Sequence, residues 1–299
     1  MNPKISVVIP LYNKQEAIES TIHSVLSQTV EPFEIIVVDD GSTDESVSKV
    51  CAIKSQKIRL IRKENGGVSS ARNVGMSSAN GDWIHFLDAD DTLESNALEV
   101  FSKMMEKYPL AKVLIGNNWG TKHLPYRCKQ IKDFCRETKN PYKSFFTDYL
   151  APTMGTFIFR TSILKEVGFF DVRLSFFEDF EFQIKLMDRY SFVFTSLPIM
   201  SYRQEFSSLS LPNHPIEREF AFYLKEEHLR NADIWKELVI AENLRYSEYV
   251  RSLVGDEKGV TIYKQKYDSL FSWRCHLVIS ILDFFKKVKR RWSRLTHNQ

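Results

Sequence analysis

The chain is poor in cysteine, with four in 299 residues: Cys51, Cys128, Cys135 and Cys275. None forms a Cys-x-x-Cys pair, and no histidine joins them at zinc-finger spacing, which excludes a zinc finger or ribbon. The expectation is free thiols in a reducing compartment. There is also no run of about 20 uncharged apolar residues, the length a helix needs to span a bilayer. The N-terminus shows no basic stretch followed by an apolar one. It enters a strand pattern at once, Ile5-Ser6-Val7-Val8-Ile9, so a secretory signal is not expected. A strong excess of one charge is missing as well. The 41 basic and 38 acidic residues leave a formal charge of +3, which argues against a general nucleic-acid binder. Neither a GxxxxGK[ST] loop nor a GxGxxG after the first strand is present. No internal repeat or low-complexity linker breaks the chain.

What is present points to an α/β fold. Hydrophobic residues make up 43% of the chain and aromatics 13%, ample material for a core. Short Val- and Ile-rich runs at 5–9, 34–38, 58–61, 83–87 and 111–115 read as strands buried on both faces. Helical stripes lie between them: Ala17, Ile18, Ile22, Val25 and Leu26, then Leu93, Ala97, Leu98, Phe101 and Met105. This alternation predicts a mostly parallel central sheet, whose ligands bind at the carboxyl ends of the strands. Further strands are expected at 153–160 and 192–202, a helix from Glu178 to Tyr190, and helical structure over 216–254. The expected organisation is a catalytic domain over 1–215, with halves at about 1–115 and 116–215. A helical extension over 216–259 and a tail over 260–299 would follow.

Two strands run into acidic clusters, Asp39-Asp40-Gly41-Ser42-Thr43-Asp44 and Asp88-Ala89-Asp90-Asp91. Helix capping is the plainer reading: Ser42, Thr43 or Asp44 for the helix after 44, Asp91 or Thr92 for the one after 93. One cap needs only one acid, however, and three carboxylates within four residues repel each other. A divalent cation relieves that repulsion, and hard oxygen ligands suit Mg²⁺ or Mn²⁺. Gly66-Gly67 followed by Val68-Ser69-Ser70-Ala71-Arg72-Asn73 reads as a glycine turn into a helix bearing Arg72. That arginine is either a phosphate contact or a structural residue.

Taken in order, these segments resemble glycosyltransferase family 2, which has the GT-A fold. The matching pieces are Val7-Val8-Ile9-Pro10-Leu11-Tyr12-Asn13-Lys14 with Glu16, Val37-Val38-Asp39-Asp40-Gly41-Ser42-Thr43-Asp44, Gly66 to Asn73, Gly81 to Asp91, and Phe177-Glu178-Asp179-Phe180-Glu181. The likeness covers roughly residues 4–210. It implies that Pro10, Tyr12 and Glu16 lie around the nucleotide of a nucleotide-diphospho-sugar, most often a UDP-sugar. Asp39 would accept a hydrogen bond from the base, and Arg72 would face the nucleotide. Asp88 and Asp90 would form the Asp-x-Asp element, Asp88 near the ribose or metal and Asp90 on the Mn²⁺ or Mg²⁺ ion. Asp179 would be the general base of an inverting transfer to a hydroxyl.

Physically these roles are coherent. Departure of a nucleoside diphosphate builds negative charge that a cation neutralises, and an acceptor hydroxyl needs a carboxylate to take its proton. For Asp179 the plainer reading is a solvated helix face, with Glu178 and Glu181 as competing bases. The aromatic run Phe176-Phe177-Glu178-Asp179-Phe180-Glu181-Phe182 would instead hold these carboxylates against apolar surface and raise their proton affinity.

The sequence departs from processive members of the family. Gln183-Ile184-Lys185-Leu186-Met187 stands where they carry Gln-x-x-Arg-Trp, so addition of one or very few sugars per encounter is expected. In the tail, Leu270, Trp273, Leu277, Ile281, Phe284, Val288 and Trp292 share an arc of roughly 100° on a helix. Lys286, Lys287, Lys289, Arg290, Arg291 and Arg294 crowd the same end. Residues 270–294 therefore read as an interfacial helix on anionic membrane, or as a helix packed on the protein with a basic end. Membrane contact would suit a cytoplasmic enzyme peripheral on the inner face, acting on a glycan or lipid-linked glycan in polysaccharide, lipopolysaccharide or capsule assembly. The competing readings are a nucleotidyltransferase, which would want a Gly-rich basic loop where Tyr12-Asn13-Lys14-Gln15 stands, and a silent nucleotide-sugar-binding protein, which would lack the base.

Overall fold

The computed structural model describes residues 3–119, 135–147, 153–203 and 215–280. The tail from Ile281 on, with Lys286, Lys287, Lys289, Arg290, Arg291 and Arg294, Cys128 and about half of the irregular stretch 116–150 lie outside them. The described residues form two compact units, one of residues 1–210 with 218–220, the other of 211–217 with 221–299.

In the first unit the strands are β1 (Ile5–Leu11), β2 (Glu34–Asp39), β3 (Ile58–Arg62), β4 (Trp83–Phe86), β5 (Thr92–Leu93), β6 (Val113–Trp119), β7 (Cys135–Thr138), β8 (Phe157–Arg160) and β9 (Phe192–Ser201). They form one sheet in the order β3-β2-β1-β4-β8-β6-β9-β5, with β7 also on β9. The run β3-β2-β1-β4 is parallel throughout, in register Val7 with Ile35 and His85. Beyond it the sheet is mixed: β8 is antiparallel to β4 and β6, whereas β6 and β9 are parallel. The parallel run carries the continuous apolar strands seen in the sequence, and every residue of β1 is buried.

Helices α1 (Ile18–Leu26), α2 (Ser46–Ala52), α3 (Val68–Ser78) and α4 (Ala97–Lys107) follow the first strands. The stripe Ile18, Ile22 and Val25 of α1 is buried against the sheet, as are Ala97, Leu98, Phe101 and Met105 of α4. Helix α3 comes closer to the sheet than a larger residue would allow. A Cβ built on Gly75 would stand 2.2 Å from Val8 Cγ1. Its N-terminus begins at Gly67, whose φ of 86° is in the left-handed region. His85 of β4 is fully buried and donates from Nδ1 to Phe157 O at 2.8 Å, tying β4 to the start of β8. Burial lowers its pKa to about 4, so the ring stays neutral.

Later come α5 (Pro141–Thr147), α6 (Leu164–Val167) and α7 (Glu178–Met187). Phe182 of α7 is fully buried and stacks on Phe170 at 4.2 Å between ring centroids. The chain continues through α8 (Phe220–Tyr223), α9 (Glu226–Leu229), α10 (Ile234–Leu253) and α11 (Glu257–Leu270), with helical residues again at 273–280. Helical structure over 216–254 is thus broken into pieces, and α11 runs across positions 259 and 260. Asp233 caps α10 through Lys236 N at 2.9 Å, and Asp256 caps α11 through Gly259 N at 2.9 Å. Among the described residues Cys51, Cys135 and Cys275 are free thiols, and no helix is long and apolar enough to cross a membrane.

Candidate active site

Because β1, β2, β3 and β4 run parallel, their carboxyl ends open on one side of the sheet. The segments that follow them are Tyr12-Asn13-Lys14, Asp39-Asp40, Arg62-Lys63 and Leu87-Asp88. The first two segments are laced together. Asn13 takes a left-handed φ of 48°, its N–H donates to Ser42 Oγ at 3.0 Å, and its Oδ1 accepts from Thr43 N at 2.8 Å. Lys14 N donates to Ser46 Oγ at 2.8 Å and Gln15 N to Asp44 Oδ2 at 3.1 Å. Asp44 Oδ1 also accepts from Ser46 N at 2.9 Å, so one acid of the first cluster does cap α2.

The other two acids of that cluster are buried. Asp39 accepts from Ser42 N at 3.0 Å and from Arg62 Nε at 3.4 Å. Asp40 takes the Lys63 ammonium together with Gly66 N at 3.0 Å and Gly67 N at 2.7 Å. It therefore pins the glycine turn that leads into α3. Pro10 is buried within β1, while Tyr12 and Glu16 are exposed, and Glu16 accepts from its neighbour Gln15.

The second cluster does not cap α4. Thr92-Leu93 form the short strand β5, and Leu98 N instead donates to Gln28 Oε1 at 3.0 Å. Thr21 Oγ1 of α1 fixes the loop, standing 2.9 Å from Ala89 O and 2.8 Å from Asp91 O and sharing one proton between them. Asp91 is buried and accepts from Arg203 N at 3.1 Å. Burial, then the neighbouring Asp88, pushes its pKa up to about 8. Asp88 and Asp90 stay partly exposed, each with a cation: Arg72 Nη2 on Asp88 Oδ1 at 2.9 Å, Lys14 Nζ on Asp90 Oδ2 at 2.6 Å.

Arg72 is the centre of the arrangement. It is 4% exposed, and its Nη1 reaches Glu178 Oε1 at 3.0 Å while the guanidinium lies 5.4 Å from the Phe170 ring centroid. One buried cation thus joins the Asp-x-Asp element to the first turn of α7. Phe177, just before that turn, is held at φ 60°, a left-handed conformation that costs about 1–2 kcal/mol for a residue with a Cβ. Three acids share this first turn. Glu178 is committed to Arg72, and Glu181 to Lys185 at 2.9 Å. Asp179 has no ion-pair partner among the described residues, and its Oδ1 accepts only from Phe180 N at 2.8 Å. Its pKa rises to about 7, first by burial and next by the charge of Glu178, against the pull of Arg72.

Of the sequence-expected residues, the structure brings Asp88, Arg72 and the Glu178-Asp179 pair together. Arg72 there is paired to protein carboxylates. Sequence reading assigned no individual role to Lys14, Asp40 or Lys63, and gave Asp91 only as a candidate helix cap. The crowding of acids was a signal for the anions, while their cations come from distant segments. Among the described residues no three His, Cys, Asp or Glu side chains converge into a complete metal cage. Mg²⁺-type ions bound by one or two carboxylates and substrate phosphates need no such cage. Asp90, which already holds an ammonium, and the partly exposed Asp88 fit that mode.

The chain is 35% identical over 119 residues to glycosyltransferase GlyA of Streptococcus pneumoniae, covering 39% of this chain and 17% of that one. It is 34% identical over 153 residues to YibD, an uncharacterized glycosyltransferase of Escherichia coli, covering 50% and 40%. The chain spans less than half the length of these relatives. The crystal structure of S. aureus TarS 1-349 in complex with UDP-GlcNAc superposes with a TM-score of 0.59 at 18% identity, covering 90% of this chain and 93% of that one. This likeness establishes the fold, which is of the GT-A type. Residues 6–168, more than half the chain, match the profile of glycosyl transferase family 2, and the chain belongs to that family.

Proposed function

We propose that this glycosyltransferase moves a single sugar from a nucleotide-diphospho-sugar, a UDP-sugar first of all, to a hydroxyl of a glycan or lipid-linked glycan, with inversion. The observation that carries the reading is the division of labour at the start of α7. Two of its three carboxylates are ion-paired, Glu178 with Arg72 and Glu181 with Lys185, and burial raises the pKa of Glu181 as well; Asp179, with no ion-pair partner among the described residues, is pushed up to about 7 at a partly exposed position. A carboxylate of that kind takes a proton from an attacking hydroxyl as the new bond forms. Attack opposite the departing diphosphate needs no covalent enzyme intermediate.

Asp90, with Asp88, would hold Mn²⁺ or Mg²⁺, whose contribution is Lewis-acid neutralisation of the charge developing on the diphosphate. Pro10, Tyr12, Glu16 and Asp39 would form the surroundings of the nucleotide, since all stand at or after the carboxyl ends of β1 and β2. Arg72 would act by fixing Asp88 and Glu178. The TarS complex with UDP-GlcNAc supports a UDP-sugar as the first donor to test. Trp273 and Leu277 support peripheral contact of 270–294 with anionic membrane, because they lie 70% and 51% exposed on the helical stretch 273–280.

A thermal-shift panel of UDP, GDP, dTDP and CMP, each with and without Mn²⁺, identifies the donor class. A ligand at 100 times its dissociation constant adds about 2.7 kcal/mol of apparent stability. The decisive variant is Asp179→Asn. It should keep the nucleotide shift and lose transfer by about 10²–10⁴-fold. Wild-type transfer in that variant would remove Asp179 from the chemistry.

A further inference from the structure

We infer that Lys14 is an exchangeable counter-ion of the Asp-x-Asp element: its ammonium holds Asp90 until a divalent cation and a nucleoside diphosphate replace it together. The inference rests on the reading of Asp90 as the metal ligand. Lys14 Nζ stands 2.6 Å from Asp90 Oδ2, with both side chains largely but not wholly buried. The backbone of Lys14 is fixed at both ends of the residue. Its N–H is bonded to Ser46 Oγ, and its carbonyl accepts from Ala17 N and Ile18 N, each at 3.0 Å. An exchange of partner therefore falls to the side chain.

The two cations of the Asp-x-Asp element differ in kind. Arg72 is buried, planar and shared between Asp88 and Glu178, so its removal would strand two carboxylates at once. Lys14 is a point charge on a flexible stem, ion-paired to Asp90 on the partly exposed side of the site and acting electrostatically on Asp91 as well. The first is a permanent fixture, and the second can leave.

A consequence follows for binding order. A divalent cation arriving alone meets a positive charge already on its ligand. Arriving with a nucleoside diphosphate, it brings oxygens to complete its own shell and an anion for the displaced ammonium to face. Lys14 therefore penalises metal without nucleotide and favours the pair. In thermodynamic terms it sets a positive coupling between the two ligands, which must be reciprocal.

The test measures Mn²⁺ binding to the full chain by electron paramagnetic resonance of free Mn²⁺, with and without UDP. Wild type is compared with Lys14→Met, Lys14→Arg and Asp90→Asn. Removing a unit charge a few ångströms from a dication should tighten Mn²⁺ binding without UDP by about tenfold in Lys14→Met. UDP should then enhance Mn²⁺ binding less than it does in wild type, while Lys14→Arg stays near wild type. Unchanged or weaker Mn²⁺ binding in Lys14→Met overturns the inference. If Lys14→Met does not fold, Lys14→Gln carries the same comparison. Loss of wild-type Mn²⁺ binding in Asp90→Asn separates the two claims, because it upholds Asp90 as ligand even where Lys14 proves inert. If wild type binds no Mn²⁺ even with UDP, both fall.

Discussion

Replacing Arg72 with methionine removes the one cation that joins the Asp-x-Asp loop to α7. Methionine fills much of the arginine stem, so little packing volume is lost and the charge is the main change. Glu178, 13% exposed at the side chain, then lies unpaired, whereas Asp88, 35% exposed, turns partly to solvent. Removing one partner of a buried pair costs about 3–5 kcal/mol, and screening at Asp88 puts the expectation near the lower end, at about 3 kcal/mol. The two compact units need not unfold together, so a single global transition is the wrong readout. Amide hydrogen exchange of β1 and β4 reports the affected unit alone, and should quicken by about 10²-fold. Acceleration under tenfold would refute the claim that this pairing holds the site together. Adding Glu178→Gln to the variant should recover part of the loss, since an uncharged amide leaves no stranded anion.

The same variant carries a pH signature. Asp179 already has a folded pKa raised from 3.8 to about 7, by burial and then Glu178, with Arg72 the largest opposing influence. Between those values the folded state binds more protons than the unfolded one. The associated stability is complete below pH 3.8 and is lost as pH rises through about 7. Without Arg72 the folded pKa rises further and the window extends upward. The destabilisation of Arg72→Met should therefore be smaller at pH 5 than at pH 8. A larger loss at pH 5 would contradict the assignment of unpaired carboxylates.

Three further outcomes are expected. In the wild type, kcat/KM should rise with pH through about 7 as Asp179 deprotonates, and Glu178→Gln should move that rise to lower pH; a flat profile from pH 5 to 8 would exclude Asp179 as base. Gly75→Val forces a side chain into the 2.2 Å approach to Val8 and should cost about 3 kcal/mol, seen as faster amide hydrogen exchange in β1. Deleting residues 281–299 should release the protein from anionic but not from neutral vesicles, and equal binding by the full and shortened chains would sink the membrane reading.

In the parallel half of the sheet β1, β2 and β4 were legible because they are buried on both faces, whereas the edge strand β3 reads Ile-Arg-Leu-Ile-Arg and is only partly buried, contrary to the expectation for 58–61. β1, β2, β3 and β4 lie within two residues of the expected segments at both ends. The two-residue β5 carries no periodic signal; it exists because Thr92 and Leu93 pair with Ser201 and Met200 of β9. At the start of α4 the plainer alternative, a cap from Asp91 or Thr92, does not hold: the acceptor on Leu98 N is Gln28, just past the end of α1. The helical pattern of 216–254 did not show where the breaks fall; one is at the left-handed Asn231, φ 58°, two residues before the cap of α10. At the site the acids were legible because they crowd together against their own repulsion. Their cations were not, because Lys14 reaches Asp90 across 76 positions and Arg72 reaches Glu178 across 106.

Those long-range cations decide which acid can act as base. Asp39 pairs with Arg62, Asp40 with Lys63, Asp90 with Lys14, Asp88 and Glu178 with Arg72, and Glu181 with Lys185. Burial raises the pKa of Glu181 in spite of Lys185, and the pKa values of Asp91 and Asp179 more strongly, to about 8 and about 7. Asp91 is 2% exposed and bonded to the backbone N–H of Arg203, shut away from any substrate. Asp179 is partly exposed at the mouth of a helix that Arg72 locks to the Asp-x-Asp loop. The pairing that neutralises its neighbours is thus what singles Asp179 out, and a variant that frees Glu178 from Arg72 should create a second, competing base beside it.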